Sequence, residues 1–335
     1  MSYLEFLEEF ADDLQEELYR RDREVEVSLI DVEKPWGKQS GLQVSDGRNV
    51  CPVIYPDKQY EYYKAGMNYP AIIALMADSV ENAMDDMPEK YNFDFMALKD
   101  TISMQLINTE RSMNYIKGKV HREIEDLSII YRLNIELNSG QKGSIVVSED
   151  MMKLMGMKEE DLYQLAMEKA PINYPYAIKS LKDMIGDMLP DGEDNDCPMM
   201  VVTNDESYYG ASAIFYPYVL EQCAAVMNGD FYVLPSSVHE CILCPDNNDI
   251  TLKELKNIVK EVNDNELSPE DLLSYNIYHY DWKDKVFELA DKFVERMKAK
   301  GKNSILNELF AKKEILQLET PLKRNQDIGT RRYER

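Results

Sequence analysis

Apolar residues return at helical spacing over the first twenty positions of the chain. They are Tyr3, Leu7, Phe10, Leu14 and Leu18. Glu and Asp occupy the other side of this pattern, and Ser2 stands where its hydroxyl can cap the first free amides. The spacing therefore predicts an amphipathic helix that begins near residue 2.

Strand alternation replaces helical spacing in the segment EVEVSLIDVEKPWGKQSGLQVSDGRNVCPVIYP. Turn signals interrupt it twice, at Pro35-Trp36-Gly37 and at Asp46-Gly47, so three antiparallel strands are predicted. Helical patterns then follow over residues 57 to 66, 69 to 86 and 88 to 118.

The remainder repeats one order of elements: strand, turn, strand, helix. The three predicted units are DLSIIYRLNIELNSGQKGSIVVSEDMMKLMGM, PMMVVTNDESYYGASAIFYPYVLEQCAAVM, and FYVLPSSVHECILCPD followed by TLKELKNIVKEVN. Each unit has an apolar strand face that it cannot bury alone, so the units are expected to join in one sheet with helices packed on it. The predicted fold class is α+β with mostly antiparallel strands.

Three regions are predicted along the chain. An N-terminal α+β subdomain covers residues 1–110, a domain of strand-strand-helix units covers 111–310, and a basic tail, expected to be mobile, covers 311–335.

The net charge of the chain indicates which classes of molecule it can bind. The chain has 38 basic and 62 acidic residues and a net charge of -24 at pH 7, whereas nucleic-acid surfaces need clusters of Lys and Arg. Direct binding of nucleic acid is therefore not expected. The acidity favours solubility, and mimicry of DNA toward a basic partner is a weaker alternative.

Cysteine usage and hydropathy predict the compartment. The chain has an odd number of cysteines, scattered as Cys51, Cys197, Cys223, Cys241 and Cys244, which is typical of a reduced compartment. It has no apolar run of about 18 residues, and its N-terminus is acidic where a secretory signal is basic. We expect a cytoplasmic protein that does not enter a membrane.

Three stretches carry a resemblance to a known family: VHREIEDLSIIYRLNIEL, GASAIFYPYVLEQCAAVMNGDFYVLPSSVHE and LLSYNIYHYDW. Over nearly the whole chain except the tail, the sequence resembles a family of bacterial proteins classed only as a domain of unknown function. Members are common in anaerobic gut bacteria and are often carried with mobile elements. The resemblance implies a cytoplasmic α+β protein without an assigned activity, substrate or cofactor. It also implies aliphatic residues where this chain has Cys241 and Cys244.

The Cys241-Ile242-Leu243-Cys244 motif is the first candidate for metal or redox chemistry. In a strand the side chains of Cys241 and Cys244 point to opposite faces, so they could not close on one metal without a bend. Buried free thiols are the favoured interpretation.

A hydrolase site is a second candidate, because Ser236, Ser237, His239 and Glu240 stand close together. They lack the Gly-x-Ser-x-Gly elbow, and a catalytic triad is assembled from distant parts of a chain. The favoured interpretation is a Pro-Ser-Ser turn in which a serine hydroxyl caps backbone amides.

The chain has only three histidines, His121, His239 and His279, and together with Glu123 or Glu240 they could form a metal site. Their spacing does not require that they meet. The acidic loop over residues 191 to 196 resembles a calcium loop but lacks its Gly and Glu positions. Neither a metal nor another cofactor is predicted.

The favoured function is a non-enzymatic, acidic protein that binds another protein, as a regulatory or accessory factor. Abundant methionine and tyrosine, 19 and 22 residues, support an adaptable binding surface. The alternative is a hydrolase or metal-dependent enzyme that uses His239 and Glu240 with His121 or His279.

Overall fold

A computed structural model describes residues 1–87, 93–136, 142–185, 199–235, 237–247 and 249–302. Within those ranges the strands form sheets of three, four and six strands, and each strand pair is antiparallel. The α+β class with mostly antiparallel strands is confirmed, whereas the expectation of a single sheet was wrong. None of the helices described there is both long enough and apolar enough to cross a bilayer.

The N-terminal elements follow the predicted order. They are α1 (Tyr3–Arg20), β1 (Glu26–Lys34), β2 (Gly37–Ser45), β3 (Val53–Ile54), α2 (Asp57–Lys64) and α3 (Tyr69–Asp86). The predicted cap is also present, because Ser2 Oγ accepts a hydrogen bond from the Glu5 amide. Helices α1 and α3 cover the sheet and bury Phe6, Phe10, Leu42 and Ile72 between them.

The four-stranded sheet includes a strand within residues 88 to 118, where the sequence pattern predicts a helix. Its region contains α4 (Phe95–Leu98), a 3₁₀ helix (Lys99–Thr101), β4 (Ile102–Asn108), β5 (His121–Ile124), β6 (Leu127–Glu136), β7 (Lys142–Val146), α5 (Glu149–Leu154) and α6 (Glu159–Asn173). The predicted helix was wrong because β4 reads ISMQLIN, whose Met, Leu and Gln also suit helices, and its pairing with β6 decides the conformation.

The six-stranded sheet has the order β13-β12-β10-β11-β9-β8. The elements of this part are β8 (Tyr176–Ser180), α7 (Leu181–Ile185), β9 (Met200–Asn204), a 3₁₀ helix (Gly210–Phe215), α8 (Val219–Met227), β10 (Phe231–Leu234), β11 (Cys241–Pro245), α9 (Leu252–Asn265), β12 (Tyr278–Asp281) and β13 (Val286–Leu289). The first and third predicted units are present. The middle unit is not, since a 3₁₀ helix replaces its second strand.

One core joins the two larger sheets. Apolar residues of β4 and β6 pack with those of β9, β10 and β12 and with α6 and α8; examples are Ile129, Tyr131, Val202, Phe231 and Tyr278. This core is separate from the N-terminal one, which involves residues 6 to 84.

The turn between β1 and β2 links the N-terminal unit to the larger body. Ser112 Oγ donates a 2.8 Å hydrogen bond to the Pro35 carbonyl, and Trp36 lies beside Arg111 and Leu272. Strand β4 precedes the predicted boundary at residue 110 but pairs with β6 beyond it. The predicted division into 1–110 and 111–310 stays a prediction, and the tail over 311–335 lies outside the described residues.

A final helical segment, residues 290–302, packs beside the edge of the six-stranded sheet. The Phe293 ring stacks on buried His279 with 3.5 Å between ring centroids. Arg296 donates hydrogen bonds to Asp281, Asp284 and Glu288 at 2.9, 2.6 and 2.7 Å. Because Asp281 is only 5% exposed, this arginine neutralises carboxylates that have little access to water.

We expect Arg296→Met to lower the free energy of unfolding by about 2 kcal/mol at pH 7, since buried Asp281 and Glu288 lose a charged donor. Burial acts to raise the pKa of Asp281, but the Asp284 amide and the Arg296 guanidinium outweigh it and hold that pKa below its usual range. A lowered carboxyl pKa adds stability above the unfolded-state value of about 4 and loses it as the pH falls through the folded-state value.

The deficit of Arg296→Met should therefore shrink as the pH falls below about 4, which urea titrations at several pH values would measure. Lys256→Met is the matched control, because Lys256 and Asp291 form an exposed pair, and it should change stability by less than about 1 kcal/mol. A deficit for Arg296→Met that stays constant with pH would contradict the argument.

Candidate functional site

One face of the four-stranded sheet is polar, although other parts of the protein cover it. Ser103 and Gln105 of β4, Arg132 and Asn134 of β6, and Ser144 of β7 alternate with apolar residues that point into the core. Gln105 is only 2% exposed. Because buried polar groups cost free energy unless they are hydrogen-bonded, such a face needs specific partners.

Arg132 is the centre of this polar face. Its Nε donates to Ser144 Oγ at 2.9 Å and its Nη1 to Gln105 Oε1 at 2.8 Å, and the guanidinium lies 5.1 Å from the centre of the Tyr209 ring. Both hydrogen-bond partners are neutral. In the part of the chain that the structure describes, no carboxylate pairs with this half-buried cation.

The loop between β9 and the following 3₁₀ helix covers the polar face. Ser207 and Tyr209 adopt left-handed backbone conformations, with φ of 51° and 52°. The buried Asn204 side chain holds the loop, because its amide donates to the Tyr208 carbonyl at 2.8 Å and its oxygen accepts from the Tyr208 amide at 3.1 Å. A left-handed backbone conformation costs free energy in residues other than glycine. The hydrogen bonds of Asn204 therefore help to hold the loop in this conformation.

Gly210 ends the loop at a point where backbones approach closely. A Cβ placed there would lie 2.3 Å from Thr203 Oγ1 and 2.5 Å from the His239 carbonyl oxygen. Thr203 Oγ1 itself donates to that carbonyl at 2.8 Å. Glycine is therefore required for β9, the loop and the segment before β11 to meet.

His239 supports the loop from the other side. Its Nδ1 accepts a 3.2 Å hydrogen bond from the Tyr209 amide, and its ring stacks on the Tyr209 ring with centroids 5.8 Å apart. In the neutral ring the proton therefore resides on Nε2, which lies 3.2 Å from Asp271 Oδ1. Since both ring nitrogens are engaged, His239 is placed to orient Tyr209 rather than to accept a proton from a substrate.

The neighbours of His239 have structural contacts as well. Ser237 Oγ accepts a 3.0 Å hydrogen bond from the His239 amide, as predicted for a serine hydroxyl that caps a backbone amide. Ser236 lies outside the described residues. Glu240 precedes β11, and its carbonyl accepts from the Ser237 amide at 3.4 Å. In the described contacts, no serine hydroxyl is hydrogen-bonded to a histidine ring nitrogen.

The three histidines occupy different surroundings. His121 Nδ1 lies 3.0 Å from the Lys119 carbonyl at the start of β5, while His279 Nε2 lies 3.1 Å from Asp246 Oδ2 on β12. Neither contacts His239 or its partners. Among the described residues, no group of three or more His, Cys, Asp or Glu is arranged to hold a metal ion.

Cys241 and Cys244 point into different cores, as the alternation of β11 predicts. Cys241 belongs to the core between the large sheets, and Cys244 to a smaller cluster with α9. Both are free thiols, and burial raises the pKa of Cys241 to about 12. A thiol with such a pKa stays protonated at neutral pH, so it is a poor nucleophile and a poor metal ligand.

A cavity of about 530 Å³ opens beside Arg132. Its wall includes Arg132, Asn134, Ser144, Tyr174, Glu206 and Tyr208. Tyr208, which is 45% exposed, lines the same cavity as Arg132. This volume is within the range of small-molecule sites, about 300–1,000 Å³.

Sequence reasoning missed Arg132 and the tyrosine loop. The signal was present, since Arg132 and Asn134 alternate with Tyr131 and Leu133 in the predicted strand SIIYRLNIEL. Gln105 could not be added to this face while its segment was predicted as a helix.

Comparison with known proteins identifies a family but no activity. One family model, described as Family of unknown function (DUF5688), matches residues 3–282. No curated protein and no solved structure matches the chain.

Proposed function

The chain belongs to DUF5688, a family of unknown function, and from its geometry we propose that it is a non-catalytic binding protein for a small oxyanion ligand, a carboxylate or a phosphate monoester. The observation that carries the proposal is the guanidinium of Arg132, which lies in the wall of a 530 Å³ cavity with neutral partners.

The chemistry of arginine favours this class of ligand. A guanidinium has five N–H donors in a fixed fork that matches carboxylate and phosphate oxygens. Ser144 and Gln105 accept from two of them, and the Tyr115 hydroxyl also interacts with the group. Arg132 is the one cation and Glu206 the one carboxylate among the described lining residues, so the proposal requires the ligand's oxygens to face Arg132. Tyr208 lines the same cavity with an aromatic ring, which favours a ligand that has an aromatic part as well as an oxyanion.

In this proposal His239 has a structural role and not a catalytic one. Its Nε2 donates to Asp271 and its Nδ1 accepts from the Tyr209 amide, so both ring nitrogens are engaged within the protein. Its contribution to the site is to fix Tyr209, whose ring contacts Arg132. We propose further that the protein resides in the cytoplasm, which its buried free thiols support.

Isothermal titration with benzoate and with phenyl phosphate tests the proposal, with benzamidine as the cation of matched shape. We expect both anions to bind and benzamidine not to bind. Arg132→Gln should weaken the anions at least tenfold, because a charge-assisted hydrogen bond contributes about 1.5–3 kcal/mol.

Arg122→Gln is the matched control, since Arg122 lies on the same sheet but pairs with exposed Glu160 at 2.9 Å. It should leave the affinity unchanged, and circular dichroism would check that both variants fold. Equal affinities in wild type and Arg132→Gln, or no anion binding at millimolar concentrations, would refute the proposal.

A further inference from the structure

The cavity beside Arg132 has a wall that carries both signs of charge. Among the lining residues that the structure describes, Arg132 is a cation and Glu206 is a carboxylate, so their formal charges cancel. A ligand that is only an anion would meet the negative charge of Glu206 as well as the guanidinium. A ligand that carries a cation in addition to its oxyanion complements both groups.

Glu206 lies in a turn whose backbone is anchored on both sides. The amide of Asp205 donates a 2.9 Å hydrogen bond to the Pro175 carbonyl. The amide of Ser207 donates a 3.0 Å hydrogen bond to the carbonyl of Asn204, a buried residue of β9. The backbone of Glu206 is therefore fixed relative to β9, so that only its side chain has to adjust to a ligand.

Asn134 adds a hydrogen-bond acceptor to the same wall. Its Nδ2 donates to the Thr101 carbonyl at 2.6 Å and to Ser103 Oγ at 3.0 Å, so both hydrogens of the amide are used within the sheet. The polar atom that remains for a ligand is Oδ1, which accepts hydrogen bonds and does not donate them. Because Asn134 lines the cavity, it favours a ligand that has a donor group.

Ser144 lies opposite Asn134 in the pairing of β6 with β7 and adds a hydrogen-bond donor. Its Oγ accepts the 2.9 Å hydrogen bond from Arg132 Nε, so its hydroxyl hydrogen can be donated to a ligand. Arg132 and Ser144 are thus donors, whereas Asn134 Oδ1 and Glu206 are acceptors. A ligand that satisfies all four has acceptor oxygens on one group and donor hydrogens on another.

Two tyrosines give the cavity an aromatic lining. Tyr174 lies at the end of α6, and Tyr208 lies in the loop that follows β9. Aromatic rings favour contact with a further ring in offset-stacked or edge-to-face arrangements. An aromatic side chain on the ligand therefore has a surface to contact in the same cavity as the charged groups.

We propose that the ligand is an amino acid with an aromatic side chain, bound as a zwitterion, an inference that rests on the proposed oxyanion site at Arg132. The carboxylate binds Arg132 and Ser144, and the ammonium group binds Glu206 and Asn134. A carboxylate accepts at about four lone-pair positions, so Glu206 can bind the ammonium group beside a donor of the protein. Hydrogen bonds between ionised groups are about twice as strong as those between neutral groups, so both ends of the ligand contribute to affinity.

Isothermal titration with three probes of one carbon skeleton tests the proposal. The probes are L-phenylalanine, 3-phenylpropionate, which lacks the ammonium group, and phenethylamine, which lacks the carboxylate. L-phenylalanine should bind at least tenfold more tightly than either analogue, because each analogue loses one charge-assisted contact. Glu206→Gln should remove the advantage of L-phenylalanine over 3-phenylpropionate. It should not weaken 3-phenylpropionate itself, since the variant removes a like charge from the cavity.

Asp205→Asn is the matched control, because Asp205 is the exposed carboxylate next to Glu206 and does not line the cavity. It should preserve the tenfold advantage of L-phenylalanine. Circular dichroism would check that both variants fold. The comparison of the three probes in the wild type needs no variant, so it decides the proposal even if a substitution prevents folding.

Equal affinities of L-phenylalanine and 3-phenylpropionate for the wild type overturn this inference and leave the oxyanion proposal intact. An advantage of L-phenylalanine that persists in Glu206→Gln, or that is lost equally in Asp205→Asn, also overturns it. Failure of benzoate, phenyl phosphate and all three probes to bind at millimolar concentrations refutes the proposed function and this inference together. An advantage that is lost in Glu206→Gln and kept in Asp205→Asn supports the zwitterion.

Discussion

Gly210→Ala is expected to lower the free energy of unfolding by about 3 kcal/mol or more. The added methyl group would overlap neighbouring atoms, most of which belong to the backbone and cannot move without shifting a whole segment. The Cβ would lie 2.3 Å from Thr203 Oγ1, 2.5 Å from the His239 carbonyl oxygen and 2.6 Å from the Asn204 amide nitrogen. Two of these are backbone atoms, and Asn204 belongs to β9. Relief of the overlap requires the strand to separate from the segment before β11.

Urea unfolding followed by circular dichroism measures this effect. Gly301→Ala is the control, since a Cβ there meets no atom within 4 Å and the residue is helical. It should stabilise the protein by up to about 1 kcal/mol, the helix propensity difference between glycine and alanine. An unchanged urea midpoint for Gly210→Ala would show that this contact is not as tight as the geometry indicates.

Gly210→Ala should also weaken oxyanion binding in any molecules that fold. The loop that holds Tyr208 and Tyr209 ends at Gly210, and the Tyr209 ring contacts Arg132. A displaced loop therefore changes the cavity wall as well as the stability.

Asp126→Ala is the second substitution with a large expected effect, a loss of about 3 kcal/mol. Asp126 accepts hydrogen bonds from Tyr278 Oη, Ser274 Oγ, Asn276 Nδ2 and Asn108 Nδ2 at 2.6, 2.8, 3.0 and 3.2 Å. Tyr278 and Ser274 are buried, and each buried donor without a partner costs about 1–3 kcal/mol.

A double-mutant cycle with Tyr278→Phe isolates this contribution. Because the phenylalanine has no hydroxyl to leave unpaired, the double variant should be more stable than the sum of the two single losses indicates. Asp150→Ala provides the surface control, since Asp150 forms an exposed pair with Lys153, and its effect should stay below about 1 kcal/mol. Strict additivity of Asp126→Ala and Tyr278→Phe would contradict direct coupling.

The hydrogen bond between Asp126 and Tyr278 also joins two of the stretches that carry the family resemblance. Asp126 belongs to VHREIEDLSIIYRLNIEL and Tyr278 to LLSYNIYHYDW, which are far apart in the sequence. Their contact gives these residues a structural role that does not depend on a reaction.

The local sequence pattern was sufficient to predict an element where one of its faces is apolar and the other is polar. Helix α1 and strands β1 and β2 fulfil this condition, and so does β11, whose alternation correctly separated Cys241 from Cys244. Strand β4 does not, because both of its faces are covered and its residues suit helices too. Only its pairing with β6 identifies it, and that pairing is a tertiary contact.

The candidate site was harder to predict for the same reason. Arg132, Gln105 and Ser144 come from three strands, and Tyr209 comes from a loop whose left-handed backbone has no helical or strand period. His239 was singled out from the sequence as a candidate catalytic or metal-binding residue, and that role stays a prediction. Its partners, Asp271 and the Tyr209 amide, could not be identified from neighbours in the sequence.

The edge of the six-stranded sheet has a practical consequence for producing fragments of this protein. The family match stops at residue 282, between β12 and β13, yet Phe293 covers His279 and Arg296 neutralises Asp281 from beyond that point. A recombinant fragment cut at the limit of the family would expose an aromatic-rich sheet edge and leave a buried carboxylate without its cation. A fragment that keeps these contacts must extend beyond Arg296, so the limit of the family match and the limit of this folded edge differ.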